Sequence, residues 1–164
     1  MFAGVNEAYS VGRNSTGAAM GFFASAHAFS LAGLSTEFTT LALAMILGFV
    51  HLFTATHFIT SERGLMWNMG ARDNTAPLQG KLAGRLDRAF QNFKETFVFF
   101  AASILALAVL GRHNGLTIWG AEAYLAGRIL YLPLYALGVP ILRTLVWAVA
   151  TFGIGLLIAA LLGA

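Results

Sequence analysis

The sequence predicts an all-α integral membrane protein, folded as an antiparallel four-helix bundle. Of the 164 residues, 58% are hydrophobic and only 10% are charged, whereas soluble domains carry roughly 25% charged residues. A disordered chain is excluded as well, because disorder requires low hydrophobicity and high net charge. A membrane-spanning helix needs about 20 mostly apolar residues, and four segments meet this requirement: 38–58, 80–110, 118–137 and 141–162.

Local signals support each predicted helix in turn. Ser35 is the predicted N-cap of the first helix, because its hydroxyl can accept a bond from a free backbone N–H. The second helix begins in a polar stretch and becomes apolar afterwards. The third is interrupted by Arg128 and Pro133. The turn Gly138-Val139-Pro140 leads into the fourth, so the last two helices should be antiparallel neighbours.

The first 36 residues differ from the remainder of the chain. Their apolar part, 17–34, is interrupted by Gly, Ser and His, and no basic stretch precedes it. A cleaved signal peptide is therefore not expected. We expect an interfacial helix or a lid packed on the bundle. The predicted division is an N-terminal segment, 1–36, and a four-helix domain, 37–164.

The distribution of positive charge predicts the orientation in the membrane. Lysines and arginines accumulate on the cytoplasmic side of membrane proteins. The loop after the first span and the start of the second hold five of them, whereas the opposite side has only Arg13 and Arg112. The first loop is thus predicted to be cytoplasmic and both termini periplasmic. The five cations are Arg63, Arg72, Lys81, Arg85 and Arg88.

Ionisable and polar side chains within the predicted spans indicate a site, because each costs several kcal/mol in a bilayer. At about 100° per residue, those of the second helix share one face, and so do those of the third. Arg143 begins the fourth helix at the same side of the membrane. We expect these side chains to converge on one pocket near the cytoplasmic leaflet. They are Arg85, Arg88, Asn92, Glu95, Arg128, Tyr131, Tyr135 and Arg143.

The composition of this pocket predicts an anionic ligand. Guanidinium groups outnumber carboxylates, and the guanidinium fork matches planar carboxylates. Glu95 can receive an ammonium group, and Asn92 both donates and accepts. A small peptide-like dianion fits this inventory. The structural alternative is that Glu95 and an arginine form a buried pair that fixes helix register, with Tyr131 and Tyr135 as membrane-interface residues.

Other kinds of site have little support in the sequence. The absence of cysteine excludes a disulfide scaffold, a thiolate metal site and a cysteine nucleophile. His51 and His57 are six residues apart and point to different helix faces, so no metal site is expected. The net charge of +3 is scattered, so nucleic acid is not an expected partner. The small-residue ridge from Gly155 to Gly163 predicts close helix packing.

Four motifs carry a resemblance to a known family. They are GLMWNMGARD at 64–73, GRLDRAFQNFKET at 84–96, AGRILY at 126–131 with Tyr135 beyond it, and LRTLVW at 142–147. The sequence resembles the MAPEG family, the membrane-associated proteins in eicosanoid and glutathione metabolism, and in particular its bacterial branch. The resemblance covers about residues 38–162. Phe90 departs from the family pattern, because many members have His or Gln there.

The resemblance implies a homotrimer in the bacterial inner membrane that binds glutathione in clefts between neighbouring subunits, open to the cytoplasm. Glutathione would be a co-substrate, and its thiolate would attack a lipophilic electrophile or reduce a lipid hydroperoxide. Arg143 would lie nearest the sulfur and stabilise the thiolate, with the hydroxyl of Thr144 beside it. Six residues would hold glutathione by motif position: Arg88, Asn92, Glu95, Arg128, Tyr131 and Tyr135.

A second function remains open at this point. Some members of the family bind lipid and partner proteins without turnover. The alternative to a glutathione transferase of the microsomal type is therefore a non-catalytic membrane subunit that binds lipid or docks onto a larger membrane complex.

Overall fold

A computed structural model describes residues 34–72 and 77–163, and all regular secondary structure in these residues is helical. The prediction of an all-α fold is confirmed. The chain from Ser35 onward forms one compact unit. The expectation of an interfacial or lid-like N-terminal segment falls almost wholly outside the described residues. The helices are α1 (Thr36–Arg63), α2 (Leu65–Met69), α3 (Lys81–Val109), α4 (Gly115–Leu137) and α5 (Pro140–Leu162).

Three of these helices, α1, α3 and α5, are long and apolar enough to cross a membrane. The protein is therefore a membrane protein, as its composition predicts. Helix α4 has 23 residues, but Glu122, Arg128 and three tyrosines lower its hydropathy. That α4 is a fourth span, in a four-helix bundle, stays a prediction.

The helix ends are capped where the sequence places capping residues. The Ser35 side chain accepts a bond from the backbone N–H of Phe38 and begins α1. Asn114 and Thr117 form a capping box at the start of α4, in which each side chain bonds to the other's backbone. Gly138 ends α4 in the left-handed conformation, with φ 77°, and Pro140 begins α5. The predicted tight turn between these helices is confirmed.

Helix α3 begins against a carboxylate from the end of α1. Glu62 accepts bonds from the backbone N–H groups of Gln79 and Gly80, the latter at 3.0 Å. These two groups precede the first turn of α3, where free N–H groups and the helix dipole favour a negative charge. Glu62 thus closes the loop between α1 and α3 and fixes where α3 starts.

Helices α4 and α5 approach each other closely because both carry glycine at the contact. A Cβ atom at Gly120 would lie 2.8 Å from the carbonyl oxygen of Gly153, and one at Gly153 would lie 2.5 Å from that of Gly120. A Cβ at Gly127 would meet Ala150 at 2.9 Å. The predicted ridge at Gly155 does not make this contact, since a Cβ there would meet no described atom within 4 Å.

The core lies between α1, α3, α4 and α5. The rings of Phe100 and Tyr124 stack at 4.0 Å between α3 and α4. At the far end of the molecule, the Thr117 hydroxyl donates a 2.6 Å hydrogen bond to the buried Glu37 carboxylate, which also lies 3.4 Å from His113. This cluster joins the start of α1 to the start of α4 and holds the end opposite the candidate site.

Candidate functional site

Arg128 lies at the centre of the candidate site, with its side chain completely buried. One terminal nitrogen, Nη1, donates a 2.8 Å hydrogen bond to Oδ1 of Asn92. The other, Nη2, donates to the hydroxyl of Thr96. Both acceptors are on α3, one helical turn apart, so they share a face of that helix. The guanidinium of α4 is thus held in one orientation by α3.

Aromatic rings complete the surroundings of Arg128. Its guanidinium carbon lies 5.5 Å from the ring centroid of Tyr124 and 5.3 Å from that of Tyr131, within the range of cation–π attraction. Its Nε–H has no hydrogen-bond partner among the described residues. Arg128 forms no salt bridge with a carboxylate of the described residues. Arg128 is therefore a buried cation without a carboxylate in contact, an arrangement that favours an anionic ligand.

A cavity of about 150 Å³ lies between α3, α4 and the start of α5. At this cavity the guanidinium carbon of Arg143 lies 4.5 Å from the ring centroid of Tyr135. The ring centroids of Tyr135 and Tyr131 are 5.3 Å apart. The Thr144 hydroxyl donates to the carbonyl of Pro140 at 2.9 Å, so its lone pairs remain able to accept. The cavity is lined by Asn92, Tyr131, Arg143, Thr144 and Trp147.

The structure therefore brings together many of the residues predicted from the sequence. Asn92, Tyr131, Arg143 and Thr144 line the cavity, Arg128 bonds to Asn92, and Tyr135 lies beneath Arg143.

Three other predicted residues lie outside this cavity. Arg85 donates a 3.1 Å bond to the carbonyl of Ala136, and its guanidinium lies directly against Gly138. It thus holds the end of α4 to α3. Arg88 and Glu95 are exposed on the surface of the single chain, although Glu95 is close enough to interact electrostatically with Arg128.

Two residues of the site have no role in the sequence prediction, namely Thr96 and Trp147. Each follows a predicted site residue by four positions, Asn92 and Arg143 respectively. Residues four apart on a helix lie on one face. Extending each predicted stripe by one turn would have found both.

A second, larger cavity of about 460 Å³ lies between α1 and α3. Its walls are apolar except for Lys94, whose Nζ lies 4.8 Å from the ring centroid of Phe90. Gly48 allows the close approach of the two helices here, because a Cβ on it would lie 2.9 Å from the Phe93 ring. The lining residues are Met45, Gly48, Phe49, Leu52, Phe90, Phe93, Lys94, Phe97 and Val98.

The histidines of α1 differ in their surroundings. His51 is buried, with its ring 4.7 Å from that of Phe93 and its Nδ1 2.9 Å from the carbonyl oxygen of Leu47. His57 is exposed. Within residues 34–72 and 77–163, no group of three or more His, Asp or Glu side chains is arranged to hold a metal ion. The contacts of His51 are those of a packed core residue.

Comparison with known proteins identifies the family to which the chain belongs. Curated proteins give no match to the sequence. The MAPEG family model matches residues 39–163, from the first turn of α1 to the end of α5. The match includes both arginines at the cavity and the α3 face that holds Arg128. The chain belongs to the MAPEG family.

Proposed function

We propose that this protein is a membrane-bound glutathione transferase or peroxidase, which presents the thiolate of glutathione to a lipophilic electrophile or lipid hydroperoxide. The single observation that carries the proposal is the buried Arg128, which has no carboxylate in contact and is bonded to Asn92 at the cavity that Arg143 lines. One guanidinium that lines this cavity and a second that is bonded to its wall match a ligand that carries two carboxylates.

In this proposal each side chain has a stated role in holding glutathione. Arg128, Arg88 and Asn92 bind its carboxylates and backbone. Glu95 accepts from its ammonium group, and the hydroxyls of Tyr131 and Tyr135 add hydrogen bonds. The existing bonds from Arg128 to Asn92 and Thr96 support this assignment, because a side chain fixed before binding loses little entropy when the ligand arrives.

Arg143 is the proposed catalytic residue. A positive charge beside the sulfur lowers the pKa of the bound thiol, and the thiolate is the reactive nucleophile. In the transferase reaction the sulfur forms a C–S bond as the leaving group departs with the bonding electrons. In the peroxidase reaction the thiolate attacks the terminal peroxide oxygen, the O–O bond breaks, and the lipid leaves as an alkoxide that is protonated to the alcohol. A second glutathione then attacks the resulting sulfenic acid and gives the disulfide and water. Thr144, which lines the same cavity, would assist this step.

The dimensions of the cavity favour a site shared between subunits. A volume of about 150 Å³ is smaller than the roughly 300–1,000 Å³ of small-molecule pockets. Arg88 and Glu95 do not line it and are exposed in one chain. We propose that neighbouring copies complete the site in a homotrimer of four-helix subunits. The first loop faces the cytoplasm of the bacterial cell, from which glutathione arrives.

A second candidate function is supported by the apolar cavity between α1 and α3. At about 460 Å³ it has the size and lining of a lipid-binding pocket. A non-catalytic subunit that binds lipid, or docks onto a larger membrane complex, would use this cavity and leave the polar one unoccupied. A measurement of glutathione binding distinguishes the two functions, because only the transferase or peroxidase requires it.

The experiment that tests the proposal is calorimetric titration of the purified protein in detergent with glutathione, followed by ultraviolet absorbance of the bound thiolate. We expect binding at millimolar concentration or below, and a thiolate band at neutral pH. Arg128→Gln should weaken binding at least about tenfold, as for the loss of a charged hydrogen-bonding group. Lys81→Gln is the matched control, since Lys81 lies on the same helix away from the cavity. Wild-type protein that binds no glutathione would favour the non-catalytic subunit.

A further inference from the structure

Helix α3 has an exposed strip with a charged edge on each side. The strip consists of Gln91, Val98, Ala102, Leu105 and Val109, all exposed. At about 100° per residue, one neighbouring edge carries Asp87 and Lys94, and the opposite edge carries Arg88 and Glu95. We call these the Lys94 edge and the Glu95 edge.

In the described part of the chain none of the four edge charges forms a salt bridge, although Glu95 lies close enough to Arg128 to interact with it electrostatically. Lys94 is about 20 Å along α3 from its start, at 1.5 Å per residue. An exposed charge at such a position in a membrane helix is costly unless it is paired or hydrated. The strip between the edges is apolar from Val98 onward, with Val98 and Val109 64% and 87% exposed. The exposed edge charges and the apolar residues between them would both be stabilised by a partner surface that is apolar in the middle and charged at its two sides.

A second copy of the same helix has this pattern. Copies inserted in the membrane with the same orientation are related by an axis along the membrane normal, so their α3 helices are parallel. Around such an axis, the Lys94 edge of each copy faces the Glu95 edge of the next copy. Residues adjacent in sequence differ by only about 1.5 Å in height. Lys94 therefore faces Glu95 of the next copy, and Asp87 faces Arg88 of the next copy.

We propose that α3 of a neighbouring copy covers the strip, with Lys94 paired to Glu95 and Asp87 paired to Arg88 across the interface. The Asp87–Arg88 pair and the Lys94–Glu95 pair are seven residues apart along the helix, and both form in the same register of the two helices. This inference rests on the shared site of the proposed function and names the contacts that form it. The neighbour thereby brings Asp87 and Lys94 beside Arg88 and Glu95, two residues that the proposed function assigns to glutathione.

The pairing also determines what lies beside the polar cavity. Lys94, Phe90 and Val98 line the apolar cavity of their own chain. The Lys94 edge of one copy meets the Glu95 edge of the next, so the apolar cavity of the first adjoins the polar cavity of the second. An apolar acceptor in the larger cavity would then lie near the thiol bound by the neighbouring copy.

Charge exchange tests the pairing directly. Lys94→Glu and Glu95→Lys, each alone, place like charges across the interface, and each should raise the protein concentration needed for half-assembly at least about fivefold. The combined variant Lys94→Glu/Glu95→Lys restores opposite charges and should assemble like wild type. Native mass spectrometry in mild detergent measures the assembled fraction. Lys81→Glu is the control for a single reversed lysine. A combined variant no better than the single ones would overturn the pairing.

Cysteine cross-linking gives a second test that does not depend on stability, because the chain has no cysteine. Lys94→Cys and Glu95→Cys chains with different tags, co-expressed in one membrane, should cross-link to each other and not to themselves. Chains that carry both substitutions should form a ladder that ends at the number of copies. Ala148→Cys, exposed on α5, is the control. Efficient self-linking of Lys94→Cys would overturn the pairing. Correct cross-links, together with wild-type protein that binds no glutathione, would overturn the proposed function and leave the pairing intact.

Discussion

The side chain of Asn92 accepts a 2.8 Å hydrogen bond from the guanidinium of Arg128 and also lines the polar cavity. Its oxygen is occupied by Arg128, so its NH₂ group is the part available to a ligand. This one contact joins α3 to α4 and determines which end of the amide faces the cavity. A ligand at this position meets donors from Asn92 and Arg143, which again favours an anion.

Arginine substitutions should separate binding from chemistry. Arg88→Ala should mainly weaken glutathione binding, by about 1.5–3 kcal/mol for a lost charge-assisted contact. Arg143→Ala should keep much of the binding but raise the pKa of the bound thiol, because the positive charge beside the sulfur is gone. Calorimetry, thiolate absorbance at neutral pH and turnover of a model aryl halide measure the three effects.

The conservative variant sharpens this comparison. Arg143→Lys keeps a point charge without the planar fork, so it should recover part of the thiolate signal. If Arg143→Ala left the pKa of the bound thiol unchanged, Arg143 would be removed from the mechanism while the binding site remained.

The glycine contact between α4 and α5 predicts a large difference between two similar substitutions. In Gly153→Ala the new methyl group meets the Gly120 carbonyl oxygen at 2.5 Å, so we expect a loss of about 1–3 kcal/mol in stability, as for other overpacked contacts. In Gly155→Ala the methyl group meets no described atom, and alanine has the higher helix propensity. Thermal unfolding in detergent should show a lower midpoint for the first variant only. Equal midpoints would contradict the close contact.

Removal of the Glu62 carboxylate should loosen the start of α3. Glu62→Ala leaves the backbone N–H groups of Gln79 and Gly80 without their acceptor, which typically costs about 1 kcal/mol at a helix cap. Glu62→Gln keeps a neutral acceptor and should lose less. Hydrogen exchange at these two amides is the specific readout, with Gly64 as an amide that bonds to Thr60 instead. Unchanged protection in Glu62→Ala would show that the cap does not act in solution.

The predicted orientation can be tested at the first loop. Ala71 is exposed and lies among the cations of that loop, and the chain contains no other cysteine to react. In intact cells Ala71→Cys should resist impermeant thiol reagents, and in inverted vesicles it should react readily. Labelling in intact cells would reverse the orientation and with it the side from which glutathione enters.

The helices could be predicted from sequence because length, apolar content and caps are local properties. The segment predicted at 141–162 is observed as Pro140–Leu162. Gly138 and Pro140 act by their own backbone preferences, left-handed φ for one and fixed φ for the other. Such signals require no knowledge of what packs against the helix.

Only part of the site could be predicted, because helix periodicity gives the face of a residue and not its neighbours. Arg85 shares a face with Asn92, but it lies about 10 Å further along the axis, where the end of α4 supplies the Ala136 carbonyl. The glycine contact was missed for the same reason. Gly153 and Gly155 are equally small, and only the position of α4 decides which of them packs.

The uneven distribution of polar residues among the helices has a consequence for the bilayer itself. Helix α3 is polar up to Glu95, and its remaining apolar part, residues 96–109, is roughly 21 Å long, whereas α5 offers 23 residues and roughly 34 Å. The hydrocarbon layer is about 30 Å thick, so it matches α5 and exceeds α3. Mismatch of this kind can be relieved by association of copies, and the shortfall lies where neighbouring copies would enclose α3. Water should therefore reach inward along α3 from the polar end, to the depth at which a polar thiol and a bilayer-dissolved acceptor can meet.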